Sequence, residues 1–296
     1  MRIYDVKING ITNPVGFALD SVKVSWKVDD CSSKKQKKAR IEISDTDSFD
    51  KILYELEGAE LKSAGQKLTF DVKPYKRYFL RILVEGDQNE SALSDPAWFE
   101  RGKGKTPWLA EFIGTRPQDT FHPVFQKKFQ TEKEISKARL YVTGLGLYEA
   151  YLNGKKIGDD YLAPFCNDYN EKIQYQTYDV TDRISQENCI RIYTGNGWYK
   201  GRLGYEGAQE VYGNRFAAIA ELHLWYTDGT KEVIGTDETW KYQASDIIMS
   251  DIYDGEEIDH MKWKDRENTL KKVVLMDISA EKLVERYSLP VVVKES

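Results

Sequence analysis

Apolar and polar positions alternate along most of this chain. In "VKVSWKV" (22–28), Val24, Trp26 and Val28 fall on one side while Lys23, Ser25 and Lys27 fall on the other, the period-two signature of a half-buried strand. The same alternation recurs in "ARIEISD" (39–45), "KLTFDV" (67–72), "YFLRILVEG" (78–86) and "PAWFERG" (96–102), each bounded by Gly, Pro, Asp, Asn or Ser. Roughly seven short strands within about a hundred residues predict a β-sandwich. The stretch "RGKGKTPW" then has linker composition. We place domains at 1–102 and 116–275, with a linker at 103–115 and the start of a further domain at 276–296.

Strand-like patterning resumes beyond the linker in "PVFQKKFQT", "ARLYVTGLGLYEAYLNGKKIG", "IQYQTYDVT", "CIRIYTGNGW", "AAIAELHLWYTDGTKEVIGT" and "WKYQAS". "LNGKK" (152–156) predicts a hairpin whose Asn-Gly takes the two positive-φ positions of a type I′ turn, and "TDGT" (227–230) reads as its twin. A helical period is visible only in "ISAEKLVER" (278–286). No internal repeat marks a propeller or solenoid. A second antiparallel sandwich of jelly-roll type fits.

Length and composition bound the rest. At 296 residues the chain is long enough for two cores, and its 41% apolar and 31% charged residues suit buried interiors under a solvated surface. No apolar run approaches the ~20 residues of a membrane span. A net charge of −5 argues against a nucleic-acid partner, and the basic run "SSKKQKKAR" (32–40) reads as a solvated loop. The start "MRIYDVKING" lacks the basic-then-apolar form of a secretory signal, so a cytoplasmic location is expected. Cys31, Cys166 and Cys189 are too few and too scattered for a zinc site and are expected to be reduced and buried.

Motifs of hydrolytic or transfer chemistry are not found: no GxSxG, no HExxH, no phosphate-binding glycine loop. His122, His223 and His260 are scattered, and the first two read as structural strand residues. Two stretches carry candidate chemistry. "TGNGWYKGRLGY" (194–205) crowds glycines beside aromatic rings. As a sugar platform, Trp198 or Tyr199 would stack on a pyranose, Asn196 and Arg202 would bond its hydroxyls, and Tyr205 and Tyr212 would widen the surface. As a structural element, the same residues would cap a core tryptophan, or dock on another domain. "SDIYDGEEIDH" (250–260) gathers Asp251, Asp254, Glu256, Glu257 and Asp259. It reads either as a catalytic pair or calcium loop or as a polar contact between domains. Neighbouring acids on one extended strand point to opposite faces, which disfavours a catalytic pair.

The run "LYVTGLGLYEAYLNGKKIGDDYLAPFCNDYNEKIQYQTYDVTD", followed by "GNGWYKGRLG", "YGNRFAAIAELHLWYTDGT" and "TDETWKYQASDIIMSDIYDGEEID", resembles the N-terminal β-domain of bacterial α-L-rhamnosidases over about 116–262. Upstream, "VSWKV", "ARIEISD" and "YFLRILVEGDQNESALSDPAWFERG" are similar to the fibronectin type III-like sandwich that often precedes it. The resemblance implies an all-β chain: a fibronectin type III/immunoglobulin-like sandwich, then a galactose-binding-like jelly roll. It also implies an accessory role, because the family's general acid and base lie on an (α/α)6 barrel further along. A rhamnose-containing carbohydrate and a downstream catalytic domain are the implied partners, and no catalytic residue is expected here. Some relatives bind rhamnose through calcium, so calcium enters as a cofactor with no ligand positions assigned. One departure is visible: Phe165-Cys166 stand where the family pattern has Gly-Trp. The competing expectation is a free-standing β-sandwich scaffold without sugar binding.

Overall fold

The computed structural model describes residues 1–261 and 269–294, which form two compact units, Met1–Gly104 and Lys105–Ser296. The first unit holds β1 (Arg2–Ile8), β2 (Val22–Asp29), β3 (Gln36–Ser44) and β4 (Ile52–Gly58). β5 (Ala64–Leu68), β6 (Arg77–Gly86), β7 (Ser91–Leu93) and β8 (Ala97–Glu100) complete it. A three-stranded sheet, β1-β2-β5, faces a five-stranded sheet, β4-β3-β6-β7, with β8 on β6. The alternation expected for 22–28 is realised: Val22, Val24 and Trp26 are buried, and Lys23 and Lys27 are exposed. They pack with Ile41, Ile43, Leu80, Ile82 and Phe99 in one core. Each such large side chain contributes about 1.5–3 kcal/mol by leaving water.

The second unit begins with β9 (Ile113–Gly114), β10 (Pro123–Gln130), β11 (Ile135–Leu145), β12 (Leu147–Leu152), β13 (Lys155–Lys156) and β14 (Asp160–Tyr161). β15 (Ile173–Asp179), β16 (Glu187–Gly195), the single turn α1 (Gly197–Lys200), β17 (Ala217–Tyr226), β18 (Lys231–Gly235) and β19 (Lys241–Ala244) follow. It ends with β20 (Ile247–Asp251), β21 (Gly255–Ile258), β22 (Lys271–Lys272), β23 (Val274–Leu275), β24 (Leu283–Glu285) and β25 (Val291–Val292). Two sheets sandwich the core, ordered β13-β12-β16-β10-β19-β22 and β23-β9-β17-β11-β15-β24, with β18 on β17. Phe125, Leu140, Ile192, Leu222 and Trp240 fill the space between them. The two small sheets β14-β25 and β20-β21 stand outside the sandwich.

Several expectations need adjustment. Part of the stretch read as a linker belongs to the second unit: Ile113 and Gly114 pair with both Ala217–Ala218 and Val274–Leu275. The Glu221 carboxylate, fully buried, also accepts from the backbone N–H of Leu109 and Ala110. Residues 276–294 likewise return to this unit, β24 lying parallel to β15 and β25 pairing with β14. The helix expected over 278–286 is a 3-10 turn at Ala280–Lys282 followed by that strand. Its Leu283 and Glu285 are buried against the sheet, and this tertiary burial overrides the local helical period.

At 152–156 the type I′ hairpin forms, with Asn153 at φ 53° and Gly154 at φ 78°. The turn at 227–230 is a hairpin of another kind. Only Gly229 has positive φ there, and Asp228 instead accepts hydrogen bonds from the Thr230 N–H and hydroxyl. The cysteines are free but not buried, and Cys166 is exposed.

Candidate functional site

Alternation builds the site. Along β12, Tyr148, Ala150 and Leu152 enter the core, so Leu147, Glu149 and Tyr151 stand on the outer face of the sheet. Along β16, Ile190, Ile192 and Thr194 enter the core and leave Arg191 and Tyr193 outside. The register sets Glu149 opposite Tyr193 and Tyr151 opposite Arg191. The Tyr151 and Tyr193 rings consequently meet edge to face at 5.2 Å, a favourable aromatic geometry.

The β20–β21 hairpin forms a second wall over this face. Between them lies a cavity of about 430 Å3, whose lining includes Glu149, Tyr151, Tyr193, Asp246, Asp251 and Glu256. Tyr161 of β14, Leu162 after it and His260 also line the cavity.

Most carboxylates in this groove are held. Glu149 accepts from the Tyr151 hydroxyl at 2.8 Å and pairs with Lys156, whose ammonium sits 4.0 Å from the Tyr161 ring centre. Asp246 meets His260 Nδ1 at 2.6 Å. Burial acts to raise the Asp251 pKa, but the backbone N–H groups of Tyr253 and Arg202 and the Arg202 charge outweigh it and hold it below its ordinary value. Glu256 has no ion-pair partner among the described contacts. Partial desolvation, then the charges of Glu149 and Asp246, raise its pKa. Burial raises the Tyr151 and Tyr193 hydroxyls as well, so both stay protonated donors.

The 194–205 stretch and the acidic run meet through one residue. The Arg202 guanidinium pairs with Asp251 and Asp254, and its backbone N–H donates to Asp251 Oδ2 at 3.2 Å. The acids do not lie on a single strand as expected: residues 252–254 turn the chain between β20 and β21. Asp251 and Glu256 reach the groove lining, whereas Asp254, Glu257 and Asp259 are not part of it. Among the described residues, no three His, Cys, Asp or Glu side chains gather to hold a metal, and Asp251 and Asp254 are already taken by Arg202.

The aromatic candidates scatter. Trp198 packs on Phe165 with ring centres 5.8 Å apart. Tyr199 and Tyr212 each meet the buried Tyr169 at 5.2 Å, while Tyr205 stands fully in solvent. Gly197 and Gly201 answer to the chain's own packing. A Cβ on Gly197, at φ 51°, would lie 2.7 Å from the Leu147 nitrogen, and one on Gly201 would lie 2.5 Å from the Gly197 oxygen. The Asn196 Oδ1 is buried without a partner. None of the six carbohydrate candidates, Asn196, Trp198, Tyr199, Arg202, Tyr205 and Tyr212, lines the groove. Sequence reasoning missed Glu149, Tyr151, Tyr161, Tyr193 and Asp246, although the out-facing Glu149 and Tyr151 were visible as alternate positions in "LYEAYL".

A family model described as "Alpha-L-rhamnosidase N-terminal domain" matches residues 133–295. The chain belongs to this α-L-rhamnosidase N-terminal family. A second model, "Rha78A-like, N-terminal immunoglobulin domain", matches residues 3–105, in keeping with the first sandwich. An α-L-rhamnosidase of Formosa agariphila is 29% identical over 86% of this chain and 31% of its own length. One of Alteromonas sp. is 30% identical over 84% of this chain and 30% of its own. The chain therefore spans about a third of these relatives. The solved α-L-rhamnosidase of Aspergillus terreus superposes with a TM-score of 0.81 at 28% identity, over 96% of this chain and 35% of its own. The Streptomyces avermitilis enzyme, solved with L-rhamnose, gives 0.85 at 18% identity over 99% of this chain and 47% of its own, a likeness of fold.

Proposed function

We propose that this N-terminal region serves an α-L-rhamnosidase as a non-catalytic accessory, gripping a rhamnose-containing carbohydrate while other residues of the parent protein break the glycosidic bond. The groove between β12, β16 and the β20–β21 hairpin carries this reading, because it sets tyrosine rings beside carboxylates around a cavity of about 430 Å3. Aromatic rings stack on the apolar face of a pyranose, and carboxylates accept from its hydroxyls. The volume suits one or two sugar rings, within the usual range of small-ligand pockets. Relatives named as α-L-rhamnosidases make terminal rhamnose the sugar to test.

Calorimetric titration with L-rhamnose tests the reading. The chain is expected to bind, and Tyr193→Ala to weaken binding roughly tenfold through loss of stacking area. Absence of heat at millimolar sugar would instead support a scaffold without a carbohydrate ligand.

A further inference from the structure

Four carboxylates line the groove, and three are engaged by side chains of the chain itself. Glu149 has Lys156, Asp246 has His260, and Asp251 has Arg202. Glu256 is the fourth, on β21 opposite Ser250, and among the described residues no ion pair engages it. An engaged carboxylate has spent part of its accepting capacity and is fixed in place. A free one keeps about four lone-pair sites for a ligand.

We propose that Glu256 is the ligand-selecting acceptor of the groove, taking two neighbouring hydroxyls of a saccharide, and that its protonation releases the ligand. This rests on the carbohydrate reading above. The Tyr151 and Tyr193 hydroxyls remain donors, and Glu256 is the groove carboxylate with no ion-pair partner among the described residues, so its accepting power is the one put to the test in acid. The groups facing it from other elements are Glu149 and Tyr151 of β12, Tyr193 of β16, Asp246 before β20 and His260 beyond β21. Asp251 of β20 and Tyr161 of β14 border the same space, and Lys156 of β13 stands behind Glu149. The surrounding negative charge and partial desolvation raise the Glu256 pKa, placing its loss of charge nearer neutrality than that of an ordinary carboxylate. The sign follows: the ionised form accepts both hydroxyls, so binding is full above the raised pKa and declines as pH falls through it.

Methyl α-L-rhamnoside is titrated into the wild type, Glu256→Gln and, as a surface control, Glu238→Gln, at neutral pH and near the ordinary glutamate value of 4.5. The wild type and Glu238→Gln are expected to lose affinity in acid. Glu256→Gln is expected to bind about tenfold more weakly at neutral pH, the worth of a charge-assisted hydrogen bond, and to show little further loss in acid. Binding by Glu256→Gln with wild-type affinity, or an acid response that persists in it, overturns the proposal while leaving carbohydrate binding intact. No binding by the wild type at either pH overturns the carbohydrate reading and this proposal together.

Discussion

A buried ion pair of the second unit gives a quantitative test of how its last strands are held. Arg286 Nη1 donates to Asp160 Oδ2, and the two side chains are only 10% and 4% exposed. Around them, Arg286 Nε donates to the Ser288 carbonyl at 3.1 Å, Tyr178 donates to Asp160 Oδ1 at 3.4 Å, and Tyr148 donates to Gln176 at 2.6 Å. The residue after Arg286 is tied too, because Gln174 Oε1 accepts from the backbone N–H groups of Tyr287 and Ser288. Arg286→Met keeps much of the apolar stem but leaves Asp160 buried without its cation. Breaking one side of a buried pair costs about 3–5 kcal/mol, far above the ~1 kcal/mol ceiling of a surface pair. For a domain of this size that is a loss of roughly 6–20 °C in Tm. Asp160→Asn combined with Arg286→Met removes both charges and should recover about 2 kcal/mol or more of the loss. Urea unfolding of the wild type, both single variants and the double variant, followed by tryptophan fluorescence and circular dichroism, closes the cycle. A loss below about 1 kcal/mol for Arg286→Met, or purely additive single effects, would refute the claim that this pair fastens β24 and its following residues to the sandwich.

Gly146 has φ 103°, and a Cβ there would lie 2.2 Å from the Gly195 oxygen, so Gly146→Ala should cost more than about 2 kcal/mol in unfolding experiments. In the first unit, Glu90 accepts from the Ser33 hydroxyl and from the backbone N–H groups of Ser32 and Ser33, which lowers its pKa from 4.5 to about 2. Its folded-state pKa is depressed, so its stabilisation is full above 4.5 and is lost as pH falls towards about 2; Glu90→Gln should flatten that limb of the stability-versus-pH curve. The purified chain should release no product from an aryl α-L-rhamnoside, and turnover that scaled with dose through repurification would contradict an accessory role.

The fold was legible where alternation is unbroken. The strands at 22–29 and 77–86 follow from their period-two burial, and the Asn153-Gly154 turn from its dipeptide. What escaped were short pieces defined by long-range pairing. Ile113–Gly114 and Leu283–Glu285 are strands because a sheet edge receives them, and two or three residues carry no period of their own. The site escaped for a related reason. Glu149 and Tyr193 lie 44 positions apart and become neighbours only through the β12–β16 register. The sequence drew attention to 194–205 by composition, yet Gly197 answers to close packing on Gly146 and Leu147, and Gly201 to the Gly197 carbonyl. Of the residues named there, Arg202 acts on the groove, through the hairpin acids it holds.

Chemical-shift mapping during titration with methyl α-L-rhamnoside tests the central claim most directly. The account predicts perturbations that saturate at Glu149–Tyr151, Tyr193–Gly195 and residues 250–256, the two walls of the groove. Perturbations confined to Trp198–Tyr205, or none at tens of millimolar sugar, would contradict it.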